Sequence, residues 1–245
     1  MKAMIFAAGL GTRLRPITDN MPKALVPING IPLLEITIRR LKRYGCREII
    51  VNIHHFGEQI VDFLAQKDHF GIDITISDER DQLLDTGGGL KKAAWFLQDA
   101  PFLLLNADVV TNLDLGAFYQ AHLSSESMAT LAILQRSSSR YLLFDDNKQL
   151  SGWRNDKSGE RRLSRLSGEK KLEDWAFSGI HAISPSFLNY LSPTESVFSI
   201  IDTYLDASAQ EAITGYPHPD DIWLDVGKIP QLEKAAAILD QIALD

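Results

Sequence analysis

Ala7 and Ala8 lead an apolar run directly into Gly9-Leu10-Gly11-Thr12-Arg13, and Lys23 stands ten residues further on between Pro22 and Ala24. Glycines at such a turn let the backbone come close to a polyphosphate, and free N–H groups there and at the next element's start can bond its oxygens. The dinucleotide fingerprint G-x-G-x-x-G fails, because the third position after Gly11 is Leu14, and the P-loop pattern fails because no Gly-Lys-Ser/Thr follows. What remains is a phosphate-holding loop that carries its own Arg13, with Lys23 close behind. The contacts it predicts for a nucleotide are Ala8, Gly9, Gly11 and Thr12.

The elements that must hold this loop read as a β-α-β series. Ala3 to Ala8 is a buried strand, Pro32 opens a helix whose Leu33, Leu34, Ile38, Leu41 and Tyr44 form a stripe capped by Gly45, and Glu48 to His54 is a second strand. A helix over GEQIVDFLAQ follows, with Ile60, Val61 and Leu64 as its inner face. Ile72 to Ile76 is a short strand, DTGGGLKKAAWFL a turn feeding a helix, and Phe102 to Leu105 a strand ending at Asn106. Continuous apolar strands in this order predict an α/β, Rossmann-like, mostly parallel sheet covered by helices on both faces. After about Met128 the pattern changes to strands at Thr130 to Gln135, Tyr141 to Phe144, Trp175 to Ser184 and Ile222 to Val226. Short helices sit around 185–191 and 198–205, and an amphipathic helix closes the chain from Pro230 to Leu244.

A formal charge of −7 and a pI near 5.4 argue against nucleic acid or an anionic membrane as the main partner, so an anionic ligand needs a local cluster of cations. The single cysteine, Cys46, excludes an intramolecular disulfide and fits a reducing compartment. The first apolar run has only Lys2 before it and ends at Gly9, too short for a signal peptide or a membrane span. The expectation is a cytoplasmic protein, a monomer or small homo-oligomer. His54-His55 carries no metal reading, because neighbouring strand residues face opposite ways and no third ligand is spaced nearby.

The run AAGLGTRLRPITDNMPKALVPING resembles the signature of the sugar-1-phosphate nucleotidyltransferases, G-x-G-T-R, P-x-T and then P-K-x-L-x-P. Thr86-Gly87-Gly88-Gly89, Asn106-Ala107-Asp108 and Trp223-Leu224-Asp225-Val226-Gly227 follow in the family's order, so the resemblance covers most of the chain. It implies a GT-A-like fold in one domain: a nucleotide-binding part over about 1–127, a sugar-binding part over 128–228 that carries the second metal ligand, and a C-terminal helix over 229–245. It also implies attack by a sugar-1-phosphate oxygen on the α-phosphorus of a nucleoside triphosphate, with pyrophosphate expelled. Arg13 would hold the triphosphate and Lys23 would bridge the two substrates. Asp108 and Asp225, both in apolar settings where an unpartnered acid is costly, would hold Mg²⁺ together with phosphate oxygens and water. Asp85, Thr86, Gly87 and Gly88 would form the wall for base and ribose.

The sugar side departs from the family pattern. A Glu-Lys-Pro triplet is common there, and this chain has Gly152-Trp153-Arg154-Asn155 instead. Asn106, Asn155 and Gly179 are the candidate sugar contacts, and Arg154 or Lys171 the candidates for the missing lysine. The short form without a repeat domain, with DTGGGL, SRYLLFDD and WLDVGKIPQL, looks most like the branch that holds N-acetylmuramate-1-phosphate uridylyltransferases and mannose-1-phosphate guanylyltransferase-like proteins. UTP with N-acetylmuramate-1-phosphate is the first expectation. Mannose-1-phosphate guanylyl transfer, a phosphocholine-type acceptor and a non-catalytic nucleotide sensor are the alternatives; a nucleotide-dependent oxidoreductase lacks its fingerprint.

Overall fold

The computed structural model describes residues 1–164 and 171–244. From β1 (Lys2–Phe6) the chain passes through three 3-10 turns, at Thr12–Leu14, Ile17–Asp19 and Lys23–Leu25, and a small ribbon of β2 (Pro27–Ile28) and β3 (Ile31–Pro32) into α1 (Leu33–Arg43). Next come β4 (Glu48–Ile53), α2 (Gly57–Gln66), β5 (Asp73–Asp78), α3 (Asp85–Leu97), β6 (Phe102–Asn106), β7 (Val109–Thr111) and α4 (Leu115–Leu123). The remainder is β8 (Ala129–Leu134), β9 (Arg140–Phe144), β10 (Leu150–Asn155), β11 (Glu160–Leu163), β12 (Glu173–Ile183), α5 (Ile200–Ala207), β13 (Ile213–Pro217), β14 (Trp223–Asp225) and α6 (Ile229–Ile238).

The strands β5, β4, β1 and β6 run parallel, in that order. Beyond β6 the sheet turns antiparallel through β12, which also pairs with β8 and β9, while β13 lies parallel to β8. Alternation along the strands separates the two faces. Ala3, Ile5, Ile49, Val51, Leu103 and Leu105 pack with α1, α2 and α4 through Leu34, Ile38, Ile60, Leu64 and Phe118. Met4, Ile50, Phe102 and Leu104 pack the other way, onto Leu90, Ala93 and Leu97 of α3 and Tyr204 of α5. The expected α/β sheet with helices on both faces is thus observed.

Three local expectations are corrected. The closing helix ends at Ile238 and gives way to a 3-10 turn at Leu239–Gln241 rather than running on to Leu244. Val61 is 40% exposed while Ile60 and Leu64 are buried, because one residue is about 100° of helix rotation and the inner face is carried by the i, i+4 pair. Asp85 to Gly89 is itself the first turn of α3 rather than a turn leading to it.

A third core lies outside the sheet, beside the site. Leu14 of the glycine-rich loop, Val26, Ile28, Val110, Val226 and the closing residues Ala235, Leu239 and Ile242 bury one another. The C-terminal segment therefore clamps the loop against β7 and β14. Leu239→Ala removes a side chain that is 5% exposed in this cluster. It is expected to lower unfolding stability by about 2–4 kcal/mol in urea titrations.

Candidate active site

Phe6 is in register with Asn52 on one side and Asn106 on the other, so the carboxyl ends of β1, β4 and β6 form one edge, from which the loops rise. Gly11 takes a left-handed backbone (φ 65), and a Cβ there would come within 3.0 Å of both Lys23 Cβ and Thr18 Cγ2. Its carbonyl accepts from Leu14 N–H at 2.9 Å and Thr18 Oγ1 at 2.8 Å. The bare glycine thereby brings Arg13 and Lys23 to the rim of a single cleft of about 600 Å³. Ala8, Gly9, Gly11, Thr12, Asp85, Thr86, Asn106 and Asp108 line that cleft as well.

The aspartates are brought together by strand pairing. Asp225 is in register with Val109, and Val226 N–H donates to the Asp108 carbonyl at 2.9 Å. Lys23 donates its ammonium to Asp108 Oδ2. Arg13 lies against Gly227, where a Cβ would stand 2.8 Å from its Nη2 and 2.9 Å from Asp225 Oδ1. That Asp225 oxygen is buried without a hydrogen-bond partner. Burial, and secondly the facing Asp108 carboxylate, push the Asp225 pKa up, against the opposing pull of Lys23, Arg13 and Arg136. An orphaned carboxylate oxygen next to a second carboxylate fits a hard divalent cation. Among the described residues no third His, Cys, Asp or Glu joins them, so phosphate oxygens and water would supply the other ligands, as Mg²⁺ prefers.

Sequence reasoning missed the polar floor of the cleft. Ala7 N–H donates to Asn52 Oδ1 at 2.7 Å, Asn52 Nδ2 to Glu79 Oε1 at 2.8 Å, and Leu84 N–H to Glu79 Oε2 at 3.4 Å. One buried carboxylate thus orders both the phosphate loop and the entry to α3, and burial pushes its pKa up. The signal was a lone asparagine in the apolar run EIIVNIH.

The profile of the nucleotidyl transferase family matches residues 2–241. The chain belongs to this family. It is 32% identical to an N-acetylmuramate alpha-1-phosphate uridylyltransferase of Neisseria meningitidis, over 97% of this chain and 98% of that protein. It is 29% identical to a UTP–glucose-1-phosphate uridylyltransferase of Synechocystis, over 96% of this chain but 62% of that longer protein. A provisionally named glucose-1-phosphate thymidylyltransferase of Bacillus anthracis has the same fold, with a TM-score of 0.82 and 20% identity over 99% of this chain and 96% of that one.

Not every site residue expected of a sugar-1-phosphate nucleotidyltransferase reaches the cleft. Gly87 and Gly88 give their N–H groups to the Phe198 carbonyl (2.8 and 3.3 Å). Added Cβ atoms would strike the Phe198 ring at 2.3 Å and the Ser196 carbonyl at 2.0 Å, so both glycines seat the 196–198 segment and leave no N–H for a nucleotide. Asp85, at φ 58, accepts from Thr86 N–H at 2.6 Å, and Thr86 Oγ1 accepts from Ile200 N–H at 3.0 Å. Gly179 packs against the Asn106 amide at the cleft edge. Asn155 caps its own turn, accepting from Lys157 N–H at 3.0 Å. Arg154 is paired with Asp156 (3.2 Å) and Asp174 (3.1 Å), and Lys171 is exposed at the edge of the described segment. Arg154 is therefore spent on acids rather than open to a phosphate.

Gly227→Ala puts a methyl between Arg13 and Asp225. It is expected to lower kcat/KM about 10²-fold while unfolding stays cooperative, because small displacements at a reacting centre cost that much. Glu79→Gln gives a pH signature. A folded-state pKa above the unfolded 4.5 means the native state binds the proton more tightly, so this group's contribution to stability is lost as pH rises through that window. The stability of the wild type relative to Glu79→Gln should therefore fall as pH rises from 4.5 toward 7, read by urea unfolding at several pH values.

Proposed function

We propose that the protein transfers a uridylyl group from UTP to N-acetylmuramate-1-phosphate, forming UDP-N-acetylmuramate and pyrophosphate. The observation that carries the transferase reading is the convergence of Arg13, Lys23 and Asp108 on one rim of the cleft, with Asp225 beside Asp108 and next to Gly227, on which Arg13 lies. The choice of base and sugar is supported by the Neisseria relative, which matches this chain nearly end to end.

A sugar phosphate has its second pKa at about 6, so near neutrality the attacking oxygen is already deprotonated and no general base is needed. That oxygen forms a bond to the α-phosphorus as the bond to the β-phosphate bridging oxygen breaks, and the electrons leave with pyrophosphate. The barrier is the repulsion between two polyanions, so charge neutralisation and in-line positioning carry the rate. Arg13, on the phosphate loop, would hold the departing pyrophosphate. Lys23, fixed by Asp108, would stand between the α-phosphate and the incoming phosphate. Mg²⁺ held by Asp108 and Asp225 would offset phosphate charge. The polar floor would keep the loop N–H groups aimed at the triphosphate, and the acceptor would be taken by the part of the chain from 128 to 228.

Pyrophosphate release with Mg²⁺ across UTP, GTP, ATP and dTTP, each with N-acetylmuramate-1-phosphate, glucose-1-phosphate, mannose-1-phosphate and phosphocholine, tests this. Turnover is expected with UTP and N-acetylmuramate-1-phosphate, falling about 10²–10³-fold in Lys23→Ala and Asp108→Ala. A better rate with another pair would replace the substrate, and nucleotide binding without any turnover would leave a sensor.

A further inference from the structure

We propose that Arg136 is the cation that receives the phosphate of the acceptor. The inference rests on the transferase reading above. An acceptor dianion beside a triphosphate needs positive charge on its own side of the reacting centre. Arg13 stands with the phosphate loop and Lys23 is bonded to Asp108. Arg154 is occupied by two acids.

Arg136 follows the end of β8, and two contacts fix its position. Its guanidinium lies 3.8 Å from the centre of the Trp223 ring. Its Nη2 donates to the Phe177 carbonyl at 2.8 Å, and Trp223 Nε1 donates to the next carbonyl, Ser178, at 2.8 Å. The backbone then continues into Gly179, whose left-handed turn (φ 73) and missing side chain let it close on the Asn106 amide at the cleft edge. Trp223 and Asp225 are two apart on β14 and so share a face. The arginine held on the tryptophan thus sits on the Asp225 side of the site, and the two charges act on each other.

Both groups are incompletely satisfied. Asp225 Oδ1 and Arg136 Nε are each buried without a hydrogen-bond partner. Holding a half-buried guanidinium on one carbonyl is costly unless an anion completes it. A phosphate suits its planar fork, and the stacking on Trp223 fixes the orientation of that fork in advance. Arg136 and Lys23 would then flank the acceptor phosphate, with Arg13 on the leaving side.

The test compares wild type, Arg136→Ala and Arg136→Lys in steady-state pyrophosphate release, varying each substrate separately. The expected result is a KM for the sugar-1-phosphate raised about 10–100-fold in Arg136→Ala, with the KM for the nucleotide changed less than about threefold. Arg136→Lys should recover part of the loss, since it restores charge without the fork. Equal rises in both KM values, or no change in either, would overturn the assignment. A second readout is independent of turnover: calorimetric titration of N-acetylmuramate-1-phosphate into wild type and Arg136→Ala. Loss of binding in the variant supports the site even if wild type turns over no pair, in which case only the transferase reading fails. Equal binding by both proteins, or none by either, would sink it.

Discussion

The site depends on one short antiparallel pairing, β14 on β7. Three residues on each strand and the bond from Val226 N–H to the Asp108 carbonyl place the second aspartate beside the first. A two-stranded ribbon of this length has little stability of its own. It persists because Val110 and Val226 are buried under the C-terminal segment, together with Leu14 of the phosphate loop. The same packing that closes the chain thus sets the distance between the loop's cation and the carboxylates. The last helix is part of the catalytic scaffold, although it lends no residue to the cleft.

A protein of charge −7 that handles polyanions must concentrate its cations, and the structure shows the local means. Arg13 is admitted beside Asp225 by the bare Gly227, and Lys23 beside the loop by the bare Gly11. The aspartates between them keep the cations from repelling one another and leave one buried oxygen, Asp225 Oδ1, without a hydrogen-bond partner. Underneath, Asn52 and Glu79 hold the loop backbone without offering charge to the substrate directly. Attraction and geometry are supplied by different residues: the rim alternates cations with carboxylates, and the floor is a hydrogen-bonded network.

The parallel half of the fold was legible in the sequence because buried parallel strands are unbroken apolar runs: AMIFAA, EIIVNIH and FLLLN each became a strand within a residue or two. β7, α4 and β13 were not, since VVT, LGAFYQAHL and ITGYP are short or weakly patterned and owe their form to tertiary partners. The residues of the rim could be picked from their motif, but not their distances, which depend on the pairing of strands far apart in sequence. The glycine triplet misled in an instructive way. Glycine marks a close approach without saying of what, and here Gly87 and Gly88 admit Ser196 and Phe198 while Gly89 admits Glu79 and Asn52. Arg136 was hidden for the converse reason: an arginine after an apolar strand looks like an exposed end until Trp223 is folded onto it.

The central claim is that Asp108 and Asp225, joined by the β7–β14 pairing, form with nucleotide phosphates a single divalent-cation site. Manganese binding measured by electron paramagnetic resonance, with and without UTP, on wild type and Asp225→Asn addresses it directly. The account predicts weak binding of Mn²⁺ to the wild type alone, a gain of at least about tenfold when UTP is present, and loss of that gain in Asp225→Asn. Undiminished coupling between Mn²⁺ and UTP in Asp225→Asn would contradict it.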